Sequence, residues 1–306
     1  MKGIGGLTRR PRNVISEYPQ LRELRYMLYA IKRNKLTMMG LIILIGLIII
    51  AIISPYVVPY PEDVAGATHP ENKFLPPSLE HPFGTDDLGR DIFSRVLCGT
   101  RIELLIGVLV IALALAIGLP LGVIAGYVGG IVDEVIMRIT DMFLSFPPLL
   151  LALAVSASLG PSLTNAMIAI AIAWWPWYTR LARGQAVSIR ERPFIEAAKA
   201  IGVGEIQIIF RHVLPNCLTP IIVQASMDFG SVILTAASLS FLGLGAQPPQ
   251  PEWGLMVNIG RIYFLTSWWC VTFPGLAIVL TVLALNILGD GIRDVLDPKS
   301  RRFWRR

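Results

Sequence analysis

The sequence predicts an all-α polytopic membrane protein with six transmembrane helices. Three observations carry this reading. Of 306 residues, 54% are hydrophobic and only 16% charged, where a soluble domain holds about 25% charged residues. The mean hydropathy is +0.62. Charge-free runs recur along the chain, and a bilayer-spanning helix needs about 20 predominantly apolar residues. This composition excludes a disordered chain, a fibrous one and an ordinary water-soluble enzyme.

The elements follow in order. Residues 1–35 form a polar, basic N-terminal segment without the pattern of a cleaved leader, so the first apolar run reads as a retained anchor. Within it, Leu21, Leu24, Leu28 and Ile31 share one helical face, flanked by Arg22, Arg25, Lys32 and Arg33. That pattern suits an amphipathic elbow helix over Gln20–Arg33 on the inner leaflet, the alternative being a frayed basic tail. Leu36–Tyr56 is the first span, within a segment 36–58. Residues 59–100 are an extracytoplasmic segment, and 101–290 a membrane core with a cytoplasmic loop at about 185–215. In that core the spans are Leu104–Tyr127, Val135–Leu159 (kinked at Pro147–Pro148), Ser162–Tyr178 after a break at Gly160–Pro161, Asn216–Leu242 and Cys270–Leu288. A basic tail, 291–306, closes the chain.

Charge gives orientation. Of the 27 Lys and Arg residues, nine lie in residues 1–35, six in 180–215 and six in 290–306, all on one side of a six-span chain. The positive-inside rule places that side, with both termini, in the cytoplasm of a cell-membrane protein. The first external loop is acidic instead, with Glu62, Asp63, Glu71, Glu80, Asp86, Asp87 and Asp91. The net charge of +6 is accounted for by topology and gives no reason to expect nucleic acid as a partner; membrane lipid is the expected surrounding.

Enzyme signals are missing: no zinc helix, no nucleophile elbow, no Cys-x-x-Cys and no P-loop. Cys98, Cys217 and Cys270 form no metal or disulfide spacing. Gly118, Gly122, Gly126 and Gly130 recur every four residues and predict close helix packing. The aromatic runs Trp174–Tyr178 and Trp268-Trp269 read as interfacial belts, with substrate stacking as the less favoured role. Asp228 lies inside the fifth span, where an acid costs on the order of 2.5–3.5 kcal/mol on insertion scales. It either lines a wet pathway or makes a structural hydrogen bond to a neighbouring helix. Gln224, one turn earlier, and Asn286 in the sixth span are weaker pathway candidates.

The loop after the fourth span carries the functional signal. Pro193 suits a first helical turn, Glu196 a position where the helix dipole favours an acid, and Ala197, Ala198 and Ala200 give helix propensity with little bulk. Gly202 supplies a stop. A second helix follows over Glu205–Val213, ended by Pro215. Such a helix–turn–helix either plugs into a groove on a cytosolic partner or rests on the headgroups.

The order Glu196-Ala197-Ala198, Gly202, Leu214-Pro215 resembles the ATPase-coupling motif of ABC importer permeases. His81-Pro82-Phe83-Gly84-Thr85-Asp86-Asp87-Leu88-Gly89-Arg90-Asp91 resembles a segment of the dipeptide/oligopeptide/nickel permeases, as do Ser238–Gly245 with Pro248-Pro249 and Trp253-Gly254, and Leu285–Asp294 with Asp297-Pro298. The similarity covers about residues 31–299 and is to the second permease subunit of such systems. It implies a type I importer permease fold with a cytoplasmic coupling helix. It implies a homologous permease subunit, two cytosolic ABC ATPases and an extracytoplasmic substrate-binding protein as partners. This chain would bind no cofactor; ATP and magnesium would be used by the ATPase subunits. Glu196, Ala197, Ala198, Gly202, Glu205 and Pro215 would serve ATPase coupling. Asp86, Asp87, Arg90 and Asp91 would either dock external partners or form local salt bridges that cap a helix. Peptides are the expected cargo, with oligosaccharides or nickel chelates on the same machinery as alternatives. An ion-coupled secondary transporter using Asp228 is the alternative from another class; a missing inverted repeat and the scarcity of intramembrane charge argue against it.

Overall fold

A computed structural model describes residues 34–296, so the predicted elbow helix over 20–33 and the tail from 297 onward lie outside the described residues. Helix α1, Lys35–Val57, starts where the Asn34 side chain accepts from the amides of Leu36 and Thr37. It exposes apolar residues such as Leu36, Ile42 and Ile52, the surface a lipid-facing anchor requires. A short helix α2, Pro61–Ala65, follows.

Helix α3, Ile92–Val128, runs for 37 residues, about 55 Å at the α-helical rise. It begins on an Asp91 N-cap, well before the predicted second span. The expected division between 100 and 101 therefore cuts a continuous helix, because the cap rather than the onset of hydrophobicity sets the helix start. The division between 290 and 291 likewise falls inside the last helix.

The predicted third span is a broken one. Helices α4, Gly130–Leu144, and α5, Pro148–Leu159, meet at 88°. Pro148 is acceptable only as the opening residue of α5, and it holds Pro147 in an extended conformation (ψ 128°). A kink therefore becomes a corner. Helix α6, Leu163–Arg190, begins after the expected break at Gly160 and extends about three turns beyond the predicted span. Then come α7, Pro193–Ala200, α8, Glu205–Ile208, one π-turn over Ile209–Val213, and α9, Leu214–Phe241. Helix α10, Trp253–Gly260, and α11, Trp269–Leu296, complete the described residues.

By length and apolarity α1, α3, α9 and α11 can each cross a membrane, and the bent α4–α5 pair makes a fifth. Helix α6, expected as a span, is long enough but carries Arg180, Arg183 and Arg190 in its second half.

The centre of the molecule is the α3–α6 contact. Cβ atoms added at Gly118, Gly122 and Gly126 would lie 2.5, 2.3 and 2.5 Å from the carbonyl oxygens of Trp175, Thr179 and Arg183. Opposite them stand the Cβ atoms of Ala182 and Ala186. The four-residue glycine repeat is thus a backbone-to-backbone seam, as its spacing predicts. Gly130 is outside the seam: it opens α4 with a φ of +58° and open space around it. A buried cluster with Tyr178, Ala182, Ala186, Ile189, Ile195, Ile208 and Val213 continues from this seam into the loop helices.

Gly122→Leu should abolish accumulation of folded protein in membranes, because the new side chain meets backbone that cannot yield; overpacking alone typically costs about 1–3 kcal/mol. Gly46→Leu on α1, which meets nothing within 4 Å, should leave accumulation unchanged. Immunoblots and detergent-phase size-exclusion profiles of the two variants check this pair.

Candidate coupling loop and translocation cavity

The loop helices hang from the seam by few residues. Helix α7 has Pro193 as its first residue. Its inner face is Ile195 and Ala198, both buried, three residues apart on one side. Glu196 and Ala197 are exposed on the other. The helix ends in a Schellman arrangement: the Gly202 amide donates to the Lys199 carbonyl at 3.0 Å and the Val203 amide to that of Ala198 at 3.1 Å. Gly202 has a φ of +80° and open space around it, so backbone conformation, not room, selects glycine. Lys199 lies over the Tyr127 ring at 5.1 Å, and Arg190 donates to the Tyr127 carbonyl at 3.1 Å. Both bonds tie the loop to the end of α3.

Pro215 does not end a helix. Glu205 opens α8, and the chain winds without a break from Glu205 to Phe241. The π-turn makes this possible: the Leu214 amide bonds the Ile209 carbonyl five residues back, widening the turn just before the proline. Asn216 Nδ2 donates to the His212 carbonyl at 2.6 Å. The loop is thereby in rigid continuity with the helix that carries Gln224 and Asp228.

Helices α6 and α9 border a cavity of about 630 Å³ lined by Trp174, Trp177, Arg180, Leu181, Gly184, Gln185, Gln224, Asp228 and Ser231. Gln224 and Asp228 stand on it together, with Gln224 Nε2 donating to Asp228 Oδ1 at 2.9 Å. Asn286 is not on its wall; it abuts Gly230 on the α9–α11 contact. The aromatic run Trp174–Tyr178 divides: Trp174 and Trp177 face the cavity, while Trp175 and Tyr178 are buried in the core, Trp175 edge-on to Phe143 at 5.2 Å. Trp269 is also no belt residue. It is buried and donates from Nε1 to the Thr85 carbonyl at 3.1 Å. A helix turns about 100° per residue, so adjacent tryptophans cannot all meet one interface.

Several charges of the acidic segment before α3 turn inward. Asp91 is fully buried: Oδ2 caps α3 by accepting from the Ser94 amide at 2.7 Å, and Oδ1 sits 3.0 Å from His81 Nδ1. Its own amide donates to Asp63 Oδ2 at 2.7 Å. Arg90, also buried, bonds Asp86 Oδ2 through Nε at 2.8 Å. Arg95 donates to the Asp63 and Pro249 carbonyls at 3.1 and 3.3 Å, joining the external segment to the loop before α10. Arg90 and Asp91 therefore offer no surface to a docking partner, and Asp86 and Asp87 only a part of theirs; the local salt-bridge and capping role is the one this geometry fills. Burial, then the neighbouring Asp86, pushes the Asp87 carboxyl above the usual carboxylate range, with Arg90 and Lys73 opposing.

Three loop residues escaped the sequence reading. Ile201 and Ile206 are 80% and 74% exposed, and Phe210 66%. Large apolar residues on the polar side of a loop are the signal that could have found them.

Comparison with known proteins agrees with this geometry. Residues 118–302 match the family described as binding-protein-dependent transport system inner membrane component, and residues 24–77 the N-terminal TM domain of oligopeptide transport permease C. The chain is 50% identical over 271 residues to the dipeptide transport system permease protein DppC of Alkalihalophilus pseudofirmus, covering 89% of this chain and 88% of that one. It is 46% identical over 300 residues to the DppC of Escherichia coli K12, covering 94% and 97%. Among solved structures it is similar in fold to the inward-facing MetNI methionine ABC transporter, with a TM-score of 0.53 and 20% identity over 67% of this chain and 97% of that one. The chain belongs to the family of binding-protein-dependent transport system inner membrane components. It is a non-catalytic, membrane-spanning permease subunit with the importer permease fold.

Gly202→Ala should cost about 1–2 kcal/mol of local helix-end stability, the penalty of a left-handed conformation for a residue with a Cβ; hydrogen exchange across 193–213 reads it, with α9 unaffected. At Asp87 the folded state holds the proton more tightly than the unfolded chain. Its contribution to stability is therefore present at low pH and lost as pH rises through the raised value. Asp87→Asn should melt higher than the parent at pH 8, and the gap should shrink toward pH 4.

Proposed function

We propose that this chain is the anchor-bearing permease subunit of an ATP-driven importer of di- and oligopeptides, forming half of the translocation pathway. The peptide assignment rests on the identity to dipeptide permeases. In this reading both termini are cytoplasmic, α6 is the sixth membrane helix, and a homologous permease covers the open side of the α6–α9 cavity. Two cytosolic ATPases, which bind and hydrolyse ATP with magnesium, grip the 193–215 loops. An external binding protein delivers the peptide.

The observation that carries the mechanism is continuity. Helix α7 is pinned through Ile195 into the core cluster that the α3–α6 seam organises, and α8 passes through the π-turn into α9. A push on the loop reaches Asp228 through the packed side chains of α7 and through α8, which runs unbroken into α9. Exposed Glu196 and Ala197, with Ile201 and Ile206 beside them, give an ATPase groove a small-residue helix rimmed by apolar contacts. Such a contact, desolvated at its centre, concentrates binding energy in few residues. When the ATPases close on ATP, the two loops of the permease pair are drawn together and the cavity turns from one side of the membrane to the other. Asp228 and Gln224 face the passage; Asn286 supports the α9–α11 packing beside it.

In proteoliposomes holding the complete transporter, Glu196→Ala, Gly202→Ala and Ile201→Asp should each reduce ATP-driven peptide uptake by roughly tenfold or more, the effect of losing about 1.4 kcal/mol at a coupling contact. Membrane insertion should be unchanged and co-purification of the ATPases weakened. Full uptake with full ATPase retention in all three variants would overturn the coupling role. Uptake that runs on an ion gradient without ATP would establish the carrier reading instead.

A further inference from the structure

The α6–α9 cavity contains an acid, Asp228, whose close neighbours are neutral. Asp228 accepts a hydrogen bond from Gln224 Nε2 at 2.9 Å, and the Tyr178 hydroxyl stands beside it as a second, neutral neighbour. Among the described residues no Lys, Arg or His nitrogen lies within 4.0 Å of its carboxylate. Arg180 shares the cavity wall but is bonded to Asp141 through Nη2. The buried Tyr178 hydroxyl beside Asp228 adds no charge to oppose the carboxylate. An intramembrane acid is normally paired or faces water, and this one is offered a cavity of about 630 Å³ instead.

The walls narrow the choice of visitor. Trp174 and Trp177 present indoles to the same space, and an indole face attracts a cation within about 6 Å of its centre. Gln224 spends its amide nitrogen on Asp228 and keeps its carbonyl oxygen as an acceptor. A carboxylate, an amide carbonyl and an aromatic face are acceptors for the three hydrogens of a primary ammonium. A carboxylate or phosphate group would find Asp228 repulsive and Arg180 already engaged.

We infer that Asp228, with Gln224 and the Trp177 face, forms a transient site for the free amino-terminal ammonium group of the peptide in transit, an inference that rests on the cavity being part of the pathway. The permease then contributes its own selection to the import step: a positively charged leading group is drawn to mid-membrane, and an acylated or anionic one is not. The site holds the ammonium weakly, since only one charge opposes it and Gln224 shares that charge, so release needs no second trigger.

The test uses the complete transporter in membrane vesicles. Ser231→Cys on α9 and, as a second reporter, Gln185→Cys on α6 each place a thiol on the cavity wall. Labelling rates are measured with two methanethiosulfonate reagents of similar size, one carrying an ethylammonium and one an ethylsulfonate. The cationic reagent should react roughly tenfold faster, the lower end of the enrichment a charged cleft gives. Adding Asp228→Asn should bring the ratio near one, and Asp228→Glu should keep it. Glycylglycine should protect the thiol, and N-acetylglycylglycine should not. Labelling at both reporters with no charge preference, or a preference that survives Asp228→Asn, would overturn the ammonium site while leaving the pathway reading intact. Failure of both thiols to react with either reagent would instead overturn the pathway reading, and the ammonium site with it.

Discussion

The fold depends on how closely two backbones can approach. At Gly118, Gly122 and Gly126 the α3 backbone lies against the carbonyls of Trp175, Thr179 and Arg183 on α6, at distances no Cβ could occupy. Inside a bilayer, apolar side chains gain little by leaving lipid for one another, so close contact and dispersion do the work that hydrophobic burial does in water. The seam fixes α6 in rotation about its axis. That rotation sends Tyr178, Ala182 and Ala186 inward and turns Trp174, Trp177 and Arg180 toward the cavity. It also sets where α6 emerges and hence where Ile195 meets the core.

A second constraint acts in the acidic segment before α3. The acidic external segment would repel itself if its charges were simply exposed. Its folding takes up three of them, while Glu62, Glu71 and Glu80 stay exposed: Asp91 caps α3, Asp63 accepts the Asp91 amide, and Asp86 is wrapped by the Leu88 and Arg90 amides and the Arg90 side chain. Buried charges are tolerable when each has partners, and Asp87, whose carboxyl burial pushes up, sits at the edge of this network. Arg95 then clamps the segment to the loop before α10, and Trp253, at the start of α10, donates from Nε1 to the Val96 carbonyl at 3.0 Å. The external face is thus one with α3 rather than a mobile flap above it.

The two constraints meet at α9. Its outer end is held by the α10 loop, with Gly254 packed on the Ala237 backbone, and its inner end is the loop helix itself, reached through the π-turn. A helix fixed at both ends and bordering a cavity between them transmits displacement along its length. In the proposed transport cycle Asp228 lies between these ends, on the wall that moves relative to the seam.

Much of this was legible in residue order. The four-residue spacing of Gly118, Gly122 and Gly126, the Pro193 start and Gly202 stop of the loop helix, and an acid alone in an apolar run are local patterns, and local patterns survive without a fold. What failed did so for non-local reasons. Pro215 was read as a helix end because proline breaks the standard ladder, but a π-turn moved the hydrogen bonds around it. Pro147-Pro148 was read as a kink, but the chain turned a corner of 88° there. For Arg90 and Asp91 residue order leaves docking and local salt bridges both open, and folding decides by bringing Asp86, His81 and Asp63 round them. By itself the sequence determined a helical membrane protein with a small-residue loop helix and motifs that resemble those of importer permeases, since hydropathy, charge bias and motif spacing are properties of neighbours along the chain. Only the tertiary structure decided which tryptophans face the cavity, which charges of the acidic segment are spent inside, and that α8 and Asp228 share one continuous helix, because each depends on which groups a helix's rotation and partners bring within bonding distance.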